Sequence, residues 1–436
     1  MVIICCHNRI ARIQFGLIFL SQPLMKPDPV VSSTPATIHL ALLINMLSMG
    51  SMMMVMPLGP DLVTSLGMAP EQTGYFSGGA TLGAALMGIL AAPWLDRFNR
   101  KPALLLLLTL RFLLLMACAL VQNSQQLLVL FILSGCVAGP LTAILMAAVL
   151  DLVPPAERGR RLAYVGMAFS LAAILVVPVA LTLAQWLGWQ SPFLLFGASG
   201  LLLALVSSRL LPSLPVTPAP HGKGLRQLLA SPLCQGALGI LCLQMFGHFL
   251  LIPHFANYFQ FNLGFPREQI AALYLCGGLA SMATMRLCGG WIDQGRAQGA
   301  ILITSLALAL VTLLGFALPV GLPVYLLFTL FMALSSARAS TTLAVTAGIP
   351  APHQRAAFMS FQGTVTNVAA GLGSLLSARY LVSDESGALH GFTELASVNI
   401  ACGLLACAGV WFLIRGLERI KNNNNPASGT ARQGSQ

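Results

Sequence analysis

Charge is what this sequence has least of. Its 436 residues include 12 Asp and Glu and 23 Lys and Arg, 8% in all, where soluble domains carry about a quarter. Hydrophobic residues make up 57% and the mean hydropathy is +0.82. That composition excludes an ordinary water-soluble domain and places the chain in the membrane class. The twelve acids are Asp28, Asp61, Glu71, Asp96, Asp151, Glu157, Glu268, Asp293, Asp384, Glu385, Glu394 and Glu418. All fall outside the apolar runs or at their ends, which leaves no carboxylate for a proton site at mid-membrane. Also missing are H-E-x-x-H, H-x-x-x-x-D, a nucleophile beside a base, and a Walker loop. Their absence argues against an embedded enzyme and against ATP as the energy source, and no cofactor is expected. The ten cysteines do not form a disulfide framework. Cys118, Cys136, Cys242, Cys276, Cys288, Cys402 and Cys407 lie in apolar runs, where Cys acts as a small hydrophobe.

What is abundant is long apolar sequence. A membrane-spanning helix takes about 20 apolar residues, and the runs between turn signals predict twelve. They are 37–58, 73–95, 102–121, 127–149, 162–185, 192–211, 233–258, 270–292, 300–318, 322–345, 357–380 and 394–415. The longest polar interruption, LLPSLPVTPAPHGKGLRQLLAS at about 208–232, divides them six and six. The predicted organisation is an N-terminal cytoplasmic extension (1–36), a six-helix bundle (37–211), a cytoplasmic linker (212–232), a second bundle (233–415) and a disordered cytoplasmic tail (416–436). Residues 1–25 pair Arg9 and Arg12 with an apolar run too short for a secretory signal, and read as an upstream extension with Met25 a candidate start. A weak amphipathic anchor is the alternative reading of that stretch.

The net charge of +11 is a statement about topology and not about nucleic acid. With the N-terminus in the cytoplasm, 18 of the 23 basic residues fall in cytoplasmic segments and tails. Arg267 and Arg379 fall at the opposite face, and Arg111, Arg286 and Arg338 lie inside spans. This positive-inside bias puts both termini in the cytoplasm. The halves also repeat. APWLDRFNR echoes GGWIDQGR, with Asp96 over Asp293, and PPAERGRR echoes IPAPHQRA, with Pro155 over Pro352 and Arg158 over Arg355. Both echoes have the same offset, 197 residues. The chain is a tandem duplication of a six-helix unit.

Twelve spans, the duplication and the charged loop A-P-W-L-D-R-F-N-R-K after the second span resemble the major facilitator superfamily of transporters. The family signature there is G-x-x-x-D-R/K-x-G-R-K/R. Ala92 and Asn99 replace its glycines, while Asp96, Arg97, Arg100 and Lys101 keep its charges. In the second half Gly289, Asp293 and Gly295 keep the pattern and Arg296 is all that remains of the basic cluster. DLVPPAERGR and GWQSPF look like segments of bacterial efflux permeases of the arabinose-efflux and drug-efflux kind. The resemblance implies two bundles that rock about a central substrate site in the cytoplasmic (inner) membrane of a bacterium, and it suggests export. It departs from proton-driven efflux members at Phe131, which stands where they carry Arg, four residues before Gly135 and Gly139. Their Gly-Pro motif in the fifth span survives only as Pro178.

From the residues alone, Asp96 at a helix end can accept charge-assisted hydrogen bonds that form and break as the halves move. Asp96, Arg97, Arg100, Lys101, Asp293, Arg158 and Arg355 are therefore candidate gate residues, against a plain positive-inside anchor. Candidate substrate contacts are the intramembrane polar groups, which normally face a cavity or a partner. Arg338 carries Ser335, Thr341 and Thr342 on its face. Arg286 lies seven residues before Asp293 and could instead snorkel to the surface. His248 and His254 flank the break expected at Pro253, with Asn257 and Gln260 beyond; either histidine could stand in for a carboxylate as a proton carrier. Gln362 and Asn367, with Thr366, complete the set. Met46, Met49, Met53 and Met56 form a stripe that is either packing or a pliable apolar wall.

The leading expectation is a secondary transporter that moves a small organic solute, anionic or amphipathic, outward by rocker-switch alternating access. It would work as a monomer among membrane lipids, without nucleic acid or metal, a coupling proton being left open. An uncoupled facilitator, an importer, and a channel or lipid scramblase are the alternatives.

Overall fold

The computed structural model describes residues 35–95, 98–154, 157–212, 230–318, 320–350 and 355–424. Apolar stretches bounded by Pro, Gly and Asn become helices here for local reasons. The first, α1 (Pro35–Met53), ends in a turn before a short helix, Gly59–Leu66, that starts on Pro60 and stops at Gly67, whose φ of 61° suits glycine. The second, α2, covers Thr73–Leu95. α3 (Arg100–Ala117) is capped by Asn99, whose side chain accepts from the Lys101 N–H; α4 (Ser124–Leu152) is capped in the same way by Asn123. The residue that replaces a signature glycine is thus a helix cap. α5 (158–187) loosens into a π turn at Ala172–Val176, just before Pro178, and α6 is Gln190–Leu210.

The second half repeats this order. α7 (Pro232–Asn262) tightens to a 3-10 turn at Ile252–His254, where Pro253 removes a donor, and ends in a π turn at Tyr258–Asn262. α8 (Ile270–Asp293), α9 (Ala297–Ala317), α10 (Val324–Ala347), α11 (Arg355–Tyr380) and α12 (Phe392–Asn424) follow. The helix of α12 thus runs into the segment expected as a tail. The starts at Pro35, Thr73, Arg100 and Arg158 fall on Pro232, Ile270, Ala297 and Arg355, all 197 residues later. Packing repeats too: α1 against α5, α2 against α4 and α3 against α6 in one half, then α7 against α11, α8 against α10 and α9 against α12. Small residues let these backbones close. Gly79 and Gly83 meet Ile132 and Cys136 of α4, while Gly135 lies on Ala80.

Eleven of the twelve helices are long and apolar enough to cross a membrane; α11 is the one that falls short among the described residues. Its Gln362, Thr364, Thr366, Asn367, Ser374 and Ser377 explain why, because it runs between α2 and α7 at the centre of the molecule. A two-stranded hairpin, β1 (Val382–Ser383) with β2 (Leu389–His390), joins α11 to α12.

Candidate functional site

The two halves meet at one end of the bundle. There Arg267, from the α7–α8 connection, grips Asp61 of the short helix with both arms, Nε to Oδ1 at 2.7 Å and Nη2 to Oδ2 at 2.6 Å. Its Nη2 also donates to the Leu181 carbonyl at the end of α5 (3.2 Å), and both charged side chains are largely enclosed. Asn257 donates to the Pro70 carbonyl (2.7 Å) and to Thr73 Oγ1 (2.9 Å) across the same seam. Gly59 makes room for it, since a Cβ there would lie 2.7 Å from Asn257 Oδ1. His254 pairs with Ser377 Oγ at 2.9 Å and lies against Gly74. Deeper in, Ser77 and Ser374 share a hydrogen bond (3.2 Å) and Gly78 packs on the Gly371 carbonyl. Predicted as substrate contacts, His254 and Asn257 are fully buried in this closure.

Beneath the closure lies an apolar cavity of about 60 Å³, lined by Met53 and Met56 from the methionine stripe, Val177, Phe255, Tyr274 and Phe328 among others. Beyond Leu82, which still touches Gly371, Gly88 faces Gly139 of its own half and Gly363 has open space around it. Among the described residues, the polar contacts between the halves gather at the Asp61–Arg267 end.

The remaining candidates are spread along the molecule. On α11, Asn367 is exposed and Gln362 buried, with its Oε1 unpartnered among the described residues. Gln260 is half-buried near the closed end. At the far end of α8, Arg286 and Asp293 are exposed. His248 stacks on Phe331 of α10, with ring centroids 5.7 Å apart. Arg338 is 4% exposed and points toward Gly403 of α12, beside Cys402 and Cys407, so its guanidinium lies within the second half. The hydroxyls of Thr341 and Thr342, its predicted polar companions, bond instead to carbonyls of their own helix.

Of the gate candidates, Arg100 forms an ion pair with Asp151, joining the start of α3 to the end of α4 within the first half. Lys101 is half-buried. Asp96 and Arg97 lie outside the described residues, as do the side chains of Arg158 and Arg355. Sequence reasoning missed the Asp61–Arg267 pair, whose partners are 206 residues apart. Opposite charges in two loops assigned to one face were the available signal. It also missed the partners of Arg111, which donates to Ser51 Oγ (3.0 Å) and the Ser48 carbonyl (3.4 Å) of α1.

Comparison with known proteins bears on this geometry. The family model of the Major Facilitator Superfamily matches residues 41–374. A probable sugar efflux transporter of Helicobacter acinonychis is 30% identical over 34% of this chain and 37% of its own length, so the chain spans little more than a third of that relative. An MFS-type transporter of Bacillus subtilis, YceJ, is 24% identical over 78% of this chain and 88% of its own. Among solved structures, a bacterial homologue of the human lysosomal transporter Spinster, described as inward-facing and occupied, superposes with a TM-score of 0.69. It is 17% identical over 88% of this chain and 98% of that one. At that identity the likeness is one of fold.

Proposed function

Because this chain belongs to the Major Facilitator Superfamily, we propose that it is a secondary carrier exporting a small organic solute from a bacterial cytoplasm by alternating access. It is a membrane transporter and not an enzyme. The single observation that supports the mechanism is the asymmetry of the two ends: among the described residues, polar contacts across the halves gather at the Asp61–Arg267 end, and the opposite end is read as the mouth. With both termini in the cytoplasm, as the basic loops imply, the mouth faces the cytoplasm and the closure faces outward. Export is supported by the family's efflux relatives, among them the one named for sugar efflux.

On this reading the bundles are 37–211 and 233–415, joined by 212–232, and the unit of transport is the monomer. Solute enters between α1, α7, α8 and α11, where Gln362, Asn367 and Arg286 face the path and Met53 and Met56 form its apolar roof. His254 and Asn257, with Gln260 nearby, serve the outer closure, and they meet solute only when that end opens. Asp96, Arg97, Arg100, Lys101, Asp293, Arg158 and Arg355 form the opposing gate, which closes as the outer one parts.

The outer closure makes the test. A partly buried, bidentate charge pair contributes about 1.5–3 kcal/mol, so breaking it shifts the balance of the two states roughly 10- to 150-fold toward outward opening. Asp61→Asn and Arg267→Gln are expected to make a cysteine placed at Ser374 reactive to an impermeant maleimide added from outside. The double exchange Asp61→Arg with Arg267→Asp restores protection. Transport of a panel of sugars, nucleosides and organic acids in proteoliposomes reads the substrate class. Flux that fails to saturate for every solute, with unchanged labelling in the single variants, would remove the carrier reading.

A further inference from the structure

The junction of α7, α10 and α12 holds a buried cation that has no counter-ion among the described residues. Arg338 of α10 directs Nη1 against Gly403 of α12, where any Cβ would collide with it. Its Nε is buried without a partner, and no hydrogen bond reaches its guanidinium among the described residues. The helices are tied together at this level. Asn399 donates to the Gly247 carbonyl at 2.8 Å, and a Cβ on Gly247 would lie 2.8 Å from Cβ of Cys402. The next residue on α7 is His248, stacked on Phe331 two turns before Arg338, with no hydrogen-bond partner among the described residues. Arg338, leaning toward its helix N-terminus as helical side chains do, is the charged neighbour of this imidazole, and the thiols of Cys402 and Cys407 are the other titratable groups beside it. Among the described residues, no carboxylate pairs with either.

The duplication shows that packing does not require this charge. The position of Arg338 in the first half is Leu141, a fully buried apolar residue. The position of His248 is Ser51, which accepts from Arg111. Each half therefore carries a buried arginine near its first helix: Arg111 of α3 reaches Ser48 and Ser51 of α1, and Arg338 of α10, set against Gly403 of α12, neighbours His248 of α7. In the first half a hydroxyl and a carbonyl meet the cation. In the second, an imidazole that shares its need for an acceptor stands there instead. An isolated buried charge is costly and is normally paired.

We propose that the α7–α10–α12 junction binds an anion between Arg338 and His248, and that the anion enters together with a proton on His248. The negative charge satisfies the guanidinium and, by lying against the imidazole, favours its protonated form, so the two bind as a linked pair. The anion is a halide from bulk or a carboxylate on the solute. This inference deepens the carrier reading by naming a charge class, but it concerns equilibrium binding and stands or falls without any transport assay.

The test is thermal unfolding of the purified, detergent-solubilised protein in Mes and Hepes neutralised with N-methylglucamine, free of halide and carboxylate, titrated with chloride in one arm and benzoate in the other, from pH 5.5 to 8. Saturable stabilisation by chloride identifies the bulk source, and by benzoate alone the solute source. In either arm the affinity is expected to rise as pH falls, approaching tenfold per unit. Arg338→Met should lose the response. Arg338→Lys, should the first variant not fold, keeps charge but not the fork and should weaken binding at least tenfold. His248→Gln should still bind the anion with a flat pH profile. No saturable response in either arm, or one undiminished in the Arg338 variants, overturns the anion site; a pH profile unchanged in His248→Gln overturns the linked proton.

Discussion

Gly59 shows how much can turn on one absent methyl group. Its missing side chain gives Asn257 the space to reach Pro70 and Thr73, and a Cβ would stand 2.7 Å from Oδ1 and 3.0 Å from Thr73 Oγ1. Gly59→Ala should therefore weaken the outer closure while leaving the Asp61–Arg267 pair intact. Losing two buried hydrogen bonds costs about 1–3 kcal/mol. The expected outcome is a rise of roughly 5- to 150-fold in external labelling at Ser374, with little change in expression. Labelling equal to that of the parent would mean that Asn257 finds another rotamer and is not a latch. Arg111 teaches a related lesson. Within its own helix only Thr109 is a polar neighbour, yet the fold supplies Ser48 and Ser51 from α1. Sequence-local reasoning sees partners three or four residues away and is blind to those on another helix.

Among the elements, the long helices were legible because lipid enforces them: an apolar run of sufficient length has no alternative to helix in a bilayer. The break at Pro253 was legible for the same kind of reason, since proline removes a donor wherever it sits. The hairpin before α12 was not, because what orders it is tertiary. Asn262, at the end of α7, accepts from the Leu389 N–H and donates to the Leu389 carbonyl, both at 2.9 Å, and so plays the part of a third strand. Gly387 and Gly391 supply positive φ at its turns. At its tip the Asp384 carboxyl is held well below the usual carboxylate range, chiefly by the Ser386 hydroxyl and then by His390. A lowered value means that this contribution is present above the ordinary carboxylate range and fades only in stronger acid. Asn262→Ala should thus loosen the hairpin at neutral pH, seen as faster amide exchange at Leu389, while acidification of the parent to about pH 4.5 should not. Equal exchange in the variant and the parent would show that the strands hold without α7.

For the whole molecule, the 197-residue repeat was readable from two loops and predicts the register of most helices, but not the state in which they are caught. On the proposed mechanism, state is decided by pairs such as Asp61 with Arg267 and Ser77 with Ser374, each joining residues from opposite halves. Pseudo-symmetry offers no help, since Asp61 and Arg267 correspond to Tyr258 and Pro70 and not to each other. If the Ser77–Ser374 approach marks one of two working states, a cross-link there must stop the cycle. Ser77→Cys with Ser374→Cys, in a background cleared of native cysteines, is expected to form a disulfide on mild oxidation. Transport should fall at least tenfold and recover with dithiothreitol. Full activity in the cross-linked form would mean that the halves do not separate at this level.

The polarity of α11 reaches beyond the working cycle, into biosynthesis. A segment leaves the translocon sideways according to its own hydrophobicity, and this one carries glutamine, asparagine, serine and threonine along a length that lipid would reject. It becomes comfortable only against α2 and α7, which the ribosome has already delivered. The eleventh helix must therefore wait, partly inserted, for its neighbours to shelter it. A mutation that loosens α2 or α7 can then appear first as a shortage of protein in the membrane, before any solute is moved.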